Sequence, residues 1–197
     1  MKSRRKIVIY CRRKESVMPT TERREQIEKV ASEILVKHGL QKPGFNLIGF
    51  LTKQEGFRVG MQELDDDTTG LLLVNEQDPI TDTGSHRLIV INSGLESDPE
   101  YLQKRRFITA HEYGHYILHK QSQEIYAHRD TTKRDTPVEK EADYFARCLL
   151  MPQELVQEVF KLWNLENASD EEKISTIARS FNVSRKKAKQ RLAEVTL

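Results

Sequence analysis

The sequence is short of the features that mark secreted scaffolds and membrane proteins. Two cysteines, Cys11 and Cys148, stand in 197 residues, too few for a disulfide framework, so the fold rests on a hydrophobic core. Long apolar runs are missing as well. Ile7 to Cys11, the one apolar stretch near the start, is too short for the apolar region of a secretory signal. Nothing approaches the ~20 apolar residues of a membrane span. Nor is one charge sign in excess: 32 Lys and Arg against 30 Asp and Glu leave a formal charge of +2. Together these absences point to a cytoplasmic protein with no membrane partner.

What is present suits one domain of ordinary size with a small appendage. Apolar residues make up 37% and charged ones 31%, enough for a modest core under a well-solvated surface. The balanced total hides local bias. Residues 1–14 carry seven Lys and Arg and no acid, and a second basic cluster runs from Arg185 to Arg191. The first reads as a solvated N-terminal extension over residues 1–19. Cys148 falls in a helical apolar pattern with Phe145 and Leu149, the place of a small core residue.

Periodicity divides the rest. Residues 20–38 place Ile27, Val30, Ala31, Ile34 and Leu35 at three- and four-residue steps, an amphipathic helix that Gly39 stops, with His38 packing or capping at its end. A short helical turn over Asn46–Lys53 follows Pro43-Gly44. Then the period changes. Phe57–Met61, Leu71–Val74 and Leu88–Ile91 read as strands, the last two joined through Asp78-Pro79 and Asp82-Thr83-Gly84. Asp65-Asp66-Asp67 lacks the spacing of a calcium loop and reads as an exposed turn. Helices return from Asp98, as N-cap with Pro99 at the first helical position, to about Lys120. Gln121–Arg134 reads as a loop. Thr136-Pro137 opens a helix to Leu150, and further helices cover Pro152–Trp163, Asp170–Phe181 and Ser184–Val195.

The informative segment is His111-Glu112-Tyr113-Gly114-His115. Histidines four apart lie one above the other on a helix, roughly 5–6 Å between Cβ atoms, so both rings can reach one metal ion. The adjacent Glu112 is placed to handle a proton on a metal-bound water, the logic of a zinc peptidase. Phe107, Ala110, Gly114, Ile117 and Leu118 form an apolar stripe beside the histidines, so the helix is buried along one side. Gly114, unfavourable in a helix by about 1 kcal/mol against Ala, implies that another backbone or a substrate comes close there. Catalytic zinc takes three protein ligands and a water. The downstream run Glu139-Lys140-Glu141-Ala142-Asp143, 24 residues after His115, can supply the third. Glu139 and Asp143 share a helix face, so Glu139 can bind metal while Asp143 accepts the free N–H of a ligand histidine. Glu141, roughly 200° around the helix, is the alternative ligand. His119 is either a surrogate ligand or a partner of the helix C-terminus.

The HEYGH motif, followed by Glu139 to Pro152 (EKEADYFARCLLMP), resembles the ImmA/IrrE family of bacterial metallopeptidases, whose pattern is HExGH followed by ExEAxxFAxxLLMP. The similarity spans roughly residues 20–195, with the strong motifs in 107–152. It implies an α+β, mainly helical, minimal zincin-like fold: a small sheet of about three strands on the motif helix, over residues 20–165, and a helix-turn-helix-like piece over 166–197. It further implies zinc as cofactor and a protein substrate, usually a helix-turn-helix repressor whose removal switches on genes of a mobile element or stress response. Where the family often has Asn, this chain has Asp143. Zinc on His111, His115 and Glu139 would activate water, with Glu112 as the base. Tyr126 and His128, with Arg129, are candidates for stabilising the oxyanion.

Ile177–Ser184 continuing to Leu192 resembles a helix-turn-helix, with Ala178, Asn182 and Val183 at the bend and Ser184 capping the second helix. Lys186, Lys187, Lys189 and Arg191 could then meet phosphates. A similar segment is, however, common at the end of these peptidases, and the favoured reading is a small helical subdomain that packs on the catalytic unit or helps hold the protein substrate. Two functions compete: a zinc endopeptidase, and a DNA-binding or sensory regulator with a structural zinc site. Glu112 favours the enzyme, because a structural site has no need of a base beside its ligands.

Overall fold

The computed structural model describes residues 19–65, 68–74, 87–119, 126–127 and 136–197. The basic extension with Cys11, Asp66-Asp67, the Asp78–Gly84 connection, and His128 and Arg129 lie outside the described residues. α1 (Thr21–Lys37) starts where Thr20 Oγ1 accepts the Arg23 N–H at 3.3 Å. It buries Ile27, Ala31 and Leu35, one face at four-residue steps. His38 is its C-cap and packs edge-on against Phe50, with Gly39 in the left-handed region behind it. Asn46 caps α2 (Leu47–Lys53) through the Gly49 N–H.

β1 (Phe57–Gln62), β2 (Gly70–Val74), β3 (Arg87–Asn92) and β4 (Tyr126–Ala127) form a sheet in the order β1-β3-β2-β4. β1 runs parallel to β3, and β2 antiparallel to it, with Val59 and Leu72 both in register with Ile89. The fourth member corrects an expectation. Within the segment expected to be loop, Tyr126–Ala127 forms β4, antiparallel to β2 at the sheet edge. Two residues carry no periodicity, and only the pairing with Leu71 and Leu72 makes them a strand. Buried Asn92, at the end of β3, donates to the Thr68 carbonyl at 2.7 Å and accepts the Gly94 N–H at 2.9 Å, anchoring the approach to β2.

α3 (Tyr101–His119) carries the motif, and it begins later than the Asp98-Pro99 signal suggests. Asp98 closes a 3-10 turn over Ser93–Ser97, and its carboxylate accepts the Glu100 N–H at 2.8 Å. An aspartate bound two residues ahead favours a turn over a helix start, and the first helical bond runs from Lys104 N–H to the Glu100 carbonyl. α3 is also buried more completely than one stripe implies: from Arg106 to Tyr116, all but Ile108 are buried. The sheet covers one side of α3, α4 (Pro137–Leu150) another, and Phe50 and Phe57 close around Tyr113.

α4 is capped by Thr136, which accepts the Glu139 N–H, with Pro137 in the first turn. α5 (Gln153–Leu162), α6 (Asp170–Phe181) and α7 (Arg185–Leu192) complete the chain. A capping box of Ser169 and Glu172 opens α6. Asn182, left-handed at φ +52°, turns the chain, and Ser184 caps α7. Phe181, Val183 and Ala188 enter the same core as Ile27, Leu35 and Phe145. The outcome is the α+β, mainly helical architecture with a small sheet on the motif helix. Among the described residues, no helix is long and apolar enough to cross a membrane.

Candidate metal centre

His111 and His115 project from one face of α3 with their Nε2 atoms 3.0 Å apart. Glu139, in the first turn of α4, brings Oε2 to 3.3 Å from His111 Nε2 and Oε1 to 3.4 Å from His115 Nε2. Three donors of the right chemistry, two imidazole nitrogens and a carboxylate, thus converge from two helices. Bonds of ~2.0–2.2 Å to a tetrahedral zinc put its ligands roughly 3.3 Å apart, so the donor set fits such an ion. The spacing depends on how closely the helices approach, and Gly114 sets that. A Cβ there would meet Phe145 Cδ1 at 2.9 Å and the Ala142 carbonyl oxygen at 3.3 Å. The close neighbour implied by the sequence is therefore the backbone and core of α4.

Asp143 stands one turn beyond Glu139, and its Oδ1 lies 3.1 Å from His111 Nδ1. A carboxylate only accepts, so Nδ1 carries the hydrogen, and with an ion bound Nε2 would be the nitrogen left to coordinate it. Burial alone would raise the Asp143 carboxyl, but the His111 hydrogen bond and the Lys187 charge outweigh it and hold it well below the usual range. Burial likewise opposes charge on His111, yet Asp143 and Glu139 raise its pKa, whereas burial wins at His115 and lowers it.

Glu112 is 1% exposed. With His111, Glu139 and Asp143 it lines a cleft of about 620 Å³. The start of β2 passes over it so closely that a Cβ on Gly70 would lie 2.9 Å from Glu112 Oε1 and 2.5 Å from Ile108 Cγ2. Sequence reasoning passed over Gly70. A glycine opening an apolar strand is the signal that marks such an approach.

The other candidates divide. Glu141 is turned away from the three donors, accepting from Arg23 Nη2 at 2.6 Å with His119 Nε2 3.9 Å off. His119 stands outside the donor group; burial first, then the His115 charge, pushes it down to about 4. Tyr126 has a described backbone in β4, next to the strand that covers Glu112. Two of the cations that could have met phosphates are paired within the protein instead. Arg191 is fully buried, gripping the Glu28 carboxylate at 2.6 and 2.9 Å and the Met151 carbonyl at 2.8 Å. Lys187 donates to Asp143 Oδ2 at 2.9 Å. Spacing along the chain carries no sign of either pairing, since the partners lie 163 and 44 residues away. Lys186 and Lys189 remain exposed.

The family model of peptidase M78, the IrrE N-terminal-like domain, matches residues 53–193. The chain belongs to this family. The match takes in all three donors, Glu112, the sheet and α7, and leaves α1 and most of α2 ahead of it. Membership in the M78 family points to a metallopeptidase, in agreement with the possible metal-binding group. No curated protein matches the chain.

Proposed function

We propose that the protein is a zinc-dependent endopeptidase whose substrate is a regulatory protein, a helix-turn-helix repressor, cut to release the genes it holds silent. The observation that carries the reading is the pairing of three convergent donors with a buried carboxylate, Glu112, that lies beside them on the cleft and is not one of them. His111, His115 and Glu139 would hold the ion. When bound there, zinc supplies Lewis-acid polarisation of a carbonyl and lowers the pKa of water to ~7.

The chain's own groups do the rest. Glu112 takes the proton of the attacking water and returns it to the leaving amide nitrogen, the general-base then general-acid sequence. Asp143 holds His111 in the tautomer that leaves Nε2 for the ion. The cover of β2 over Glu112 keeps solvent from the carboxylate. Substrate reaches the centre through the cleft, whose lining includes Thr69 and Lys104 as well as Lys186 and Gln190 of α7. Tyr126 or His128 would complete the site by donating to the oxyanion. The repressor as substrate draws its support from the family resemblance.

The competing reading, a DNA-binding regulator, needs the cations of α7 at the surface; of its five, Arg191 and Lys187 are paired internally and Arg185 is paired with Glu171. The test is incubation of the zinc-loaded protein with a candidate helix-turn-helix repressor, followed by mass analysis. Two fragments summing to the repressor plus one water support the peptidase; an intact repressor together with a salt-dependent duplex shift supports the regulator.

A further inference from the structure

Asp143 is held on both its oxygens. Oδ1 faces His111 Nδ1 at 3.1 Å, and Oδ2 accepts from Lys187 Nζ at 2.9 Å, with Arg147 Nη1 farther off at 3.5 Å. Arg147 spends its closer contacts on Glu194, at 2.8 to 3.0 Å. Lys187 is therefore the main restraint on the outer oxygen. Its own place is well defined. The Ser184 cap of α7 accepts the Lys187 N–H at 3.3 Å, and the ammonium sits 3.8 Å from the centre of the Phe107 ring. Phe107 lies one helical turn before His111 on α3, so the ammonium is braced against the same helix whose histidine it reaches through Asp143.

We infer that Lys187 is a positioning residue of the metal centre: by fixing the Asp143 carboxylate it sets the orientation of the His111 ring, which makes α7 part of the site. The inference rests on His111, His115 and Glu139 being a metal site and needs nothing about the substrate. Two effects of the ammonium oppose each other. As a positive charge near a dication it weakens metal binding, whereas as a brace on Asp143 it strengthens binding by pre-setting a ligand. Outer partners of ligand histidines are worth ~10–100-fold in metal affinity, and the geometry points to the brace.

The sign of the effect decides between them. Zinc affinity is measured by competition with a chromophoric chelator for the full chain and for Lys187→Met, Lys187→Arg, Asp143→Asn and the Lys187→Met/Asp143→Asn double variant. Lys187→Met is expected to weaken binding about tenfold, the low end of the range for such partners, and Lys187→Arg to stay within about threefold of the parent. In the Asp143→Asn background, where the side-chain amide offers no second carboxylate oxygen, Lys187→Met should add little. Nitrogen NMR of the metal-free protein should show His111 held with hydrogen on Nδ1, and the two ring nitrogens averaging in Lys187→Met. Lys187→Gln, which lacks the reach to Asp143, replaces Lys187→Met if circular dichroism shows that variant unfolded. Zinc bound as tightly or more tightly by Lys187→Met, or an equal loss in both backgrounds, overturns the inference and leaves the metal site standing. A parent protein that binds no zinc overturns both.

Discussion

Glu112 and Glu139 are both buried or half-buried carboxylates beside the same histidines, and geometry gives them different work. Glu139 points its two oxygens at the two ring nitrogens, while Glu112 lies under β2 on the cleft wall. Glu112→Gln keeps shape and the donor set. It should retain zinc and fold while lowering cleavage by the ~10²–10⁴-fold typical of a lost general base. Full proteolysis of a genuine substrate by that variant would remove Glu112 from the mechanism. Glu139→Ala should strip the zinc that elemental analysis finds in the parent, and Glu141→Ala should not, because Glu141 is committed to Arg23. The motif residues were legible because i and i+4 on a helix is a local relation. The sequence already ranks Glu139 ahead of Glu141 because Glu139 shares a helix face with Asp143; what only the fold supplies is the pairing of Glu141 with Arg23 of α1.

At the scale of elements, the centre is a contact between two helices and a strand, so its precision depends on packing. Gly114→Ala sets two effects against each other. Alanine gains about 1 kcal/mol of helix propensity, but its methyl would enter space held by Phe145 and the Ala142 carbonyl. Overpacking in a filled core costs ~1–3 kcal/mol. Phe145 is fully buried and the carbonyl belongs to backbone, so neither can retreat cheaply. The net expectation is a lower midpoint in chemical denaturation together with weaker zinc binding. A more stable variant would show that α3 and α4 have slack. Helix ends and strands were mostly readable from caps and periodicity: Thr136 and Ser184 cap where the pattern places them. The start of α3 was misread because Asp-Pro serves a turn as well as a helix cap, and β4 because two residues have no period.

Across the whole molecule, charged groups buried between distant helices tie the first helix to the last. Arg191 of α7 holds Glu28 of α1 with two hydrogen bonds, and Tyr144 of α4 donates to the same carboxylate at 3.0 Å. Breaking a buried pair leaves an uncompensated charge, at ~3–5 kcal/mol. Glu28→Gln should cost near the low end at pH 7, since Glu28 keeps 29% of its side chain exposed. Burial raises the Glu28 carboxyl, but Arg191 outweighs it and the net shift is downward from 4.5. A carboxylate with a lowered folded pKa contributes stability that is complete above its unfolded value and is lost as pH falls through the folded one. The gap between parent and Glu28→Gln in urea denaturation should therefore be full near pH 7 and shrink progressively below about pH 4.5. A gap that widens in acid would mean that the pair does not stabilise the fold.

The sequence alone determined most of the helices, the caps at Thr136 and Ser184, the strand-rich middle, and the two histidines and glutamate of the motif, because each follows from relations within a few residues. Tertiary structure alone decided what occupies Glu141, why Gly70 and Gly114 must lack side chains, and where the basic residues of α7 go. A charge pattern states only that charges exist. Which of them meet, and whether Lys187 and Arg191 face solvent or fill buried polar positions, depends on how α1, α3, α4 and α7 are brought together by the core they share.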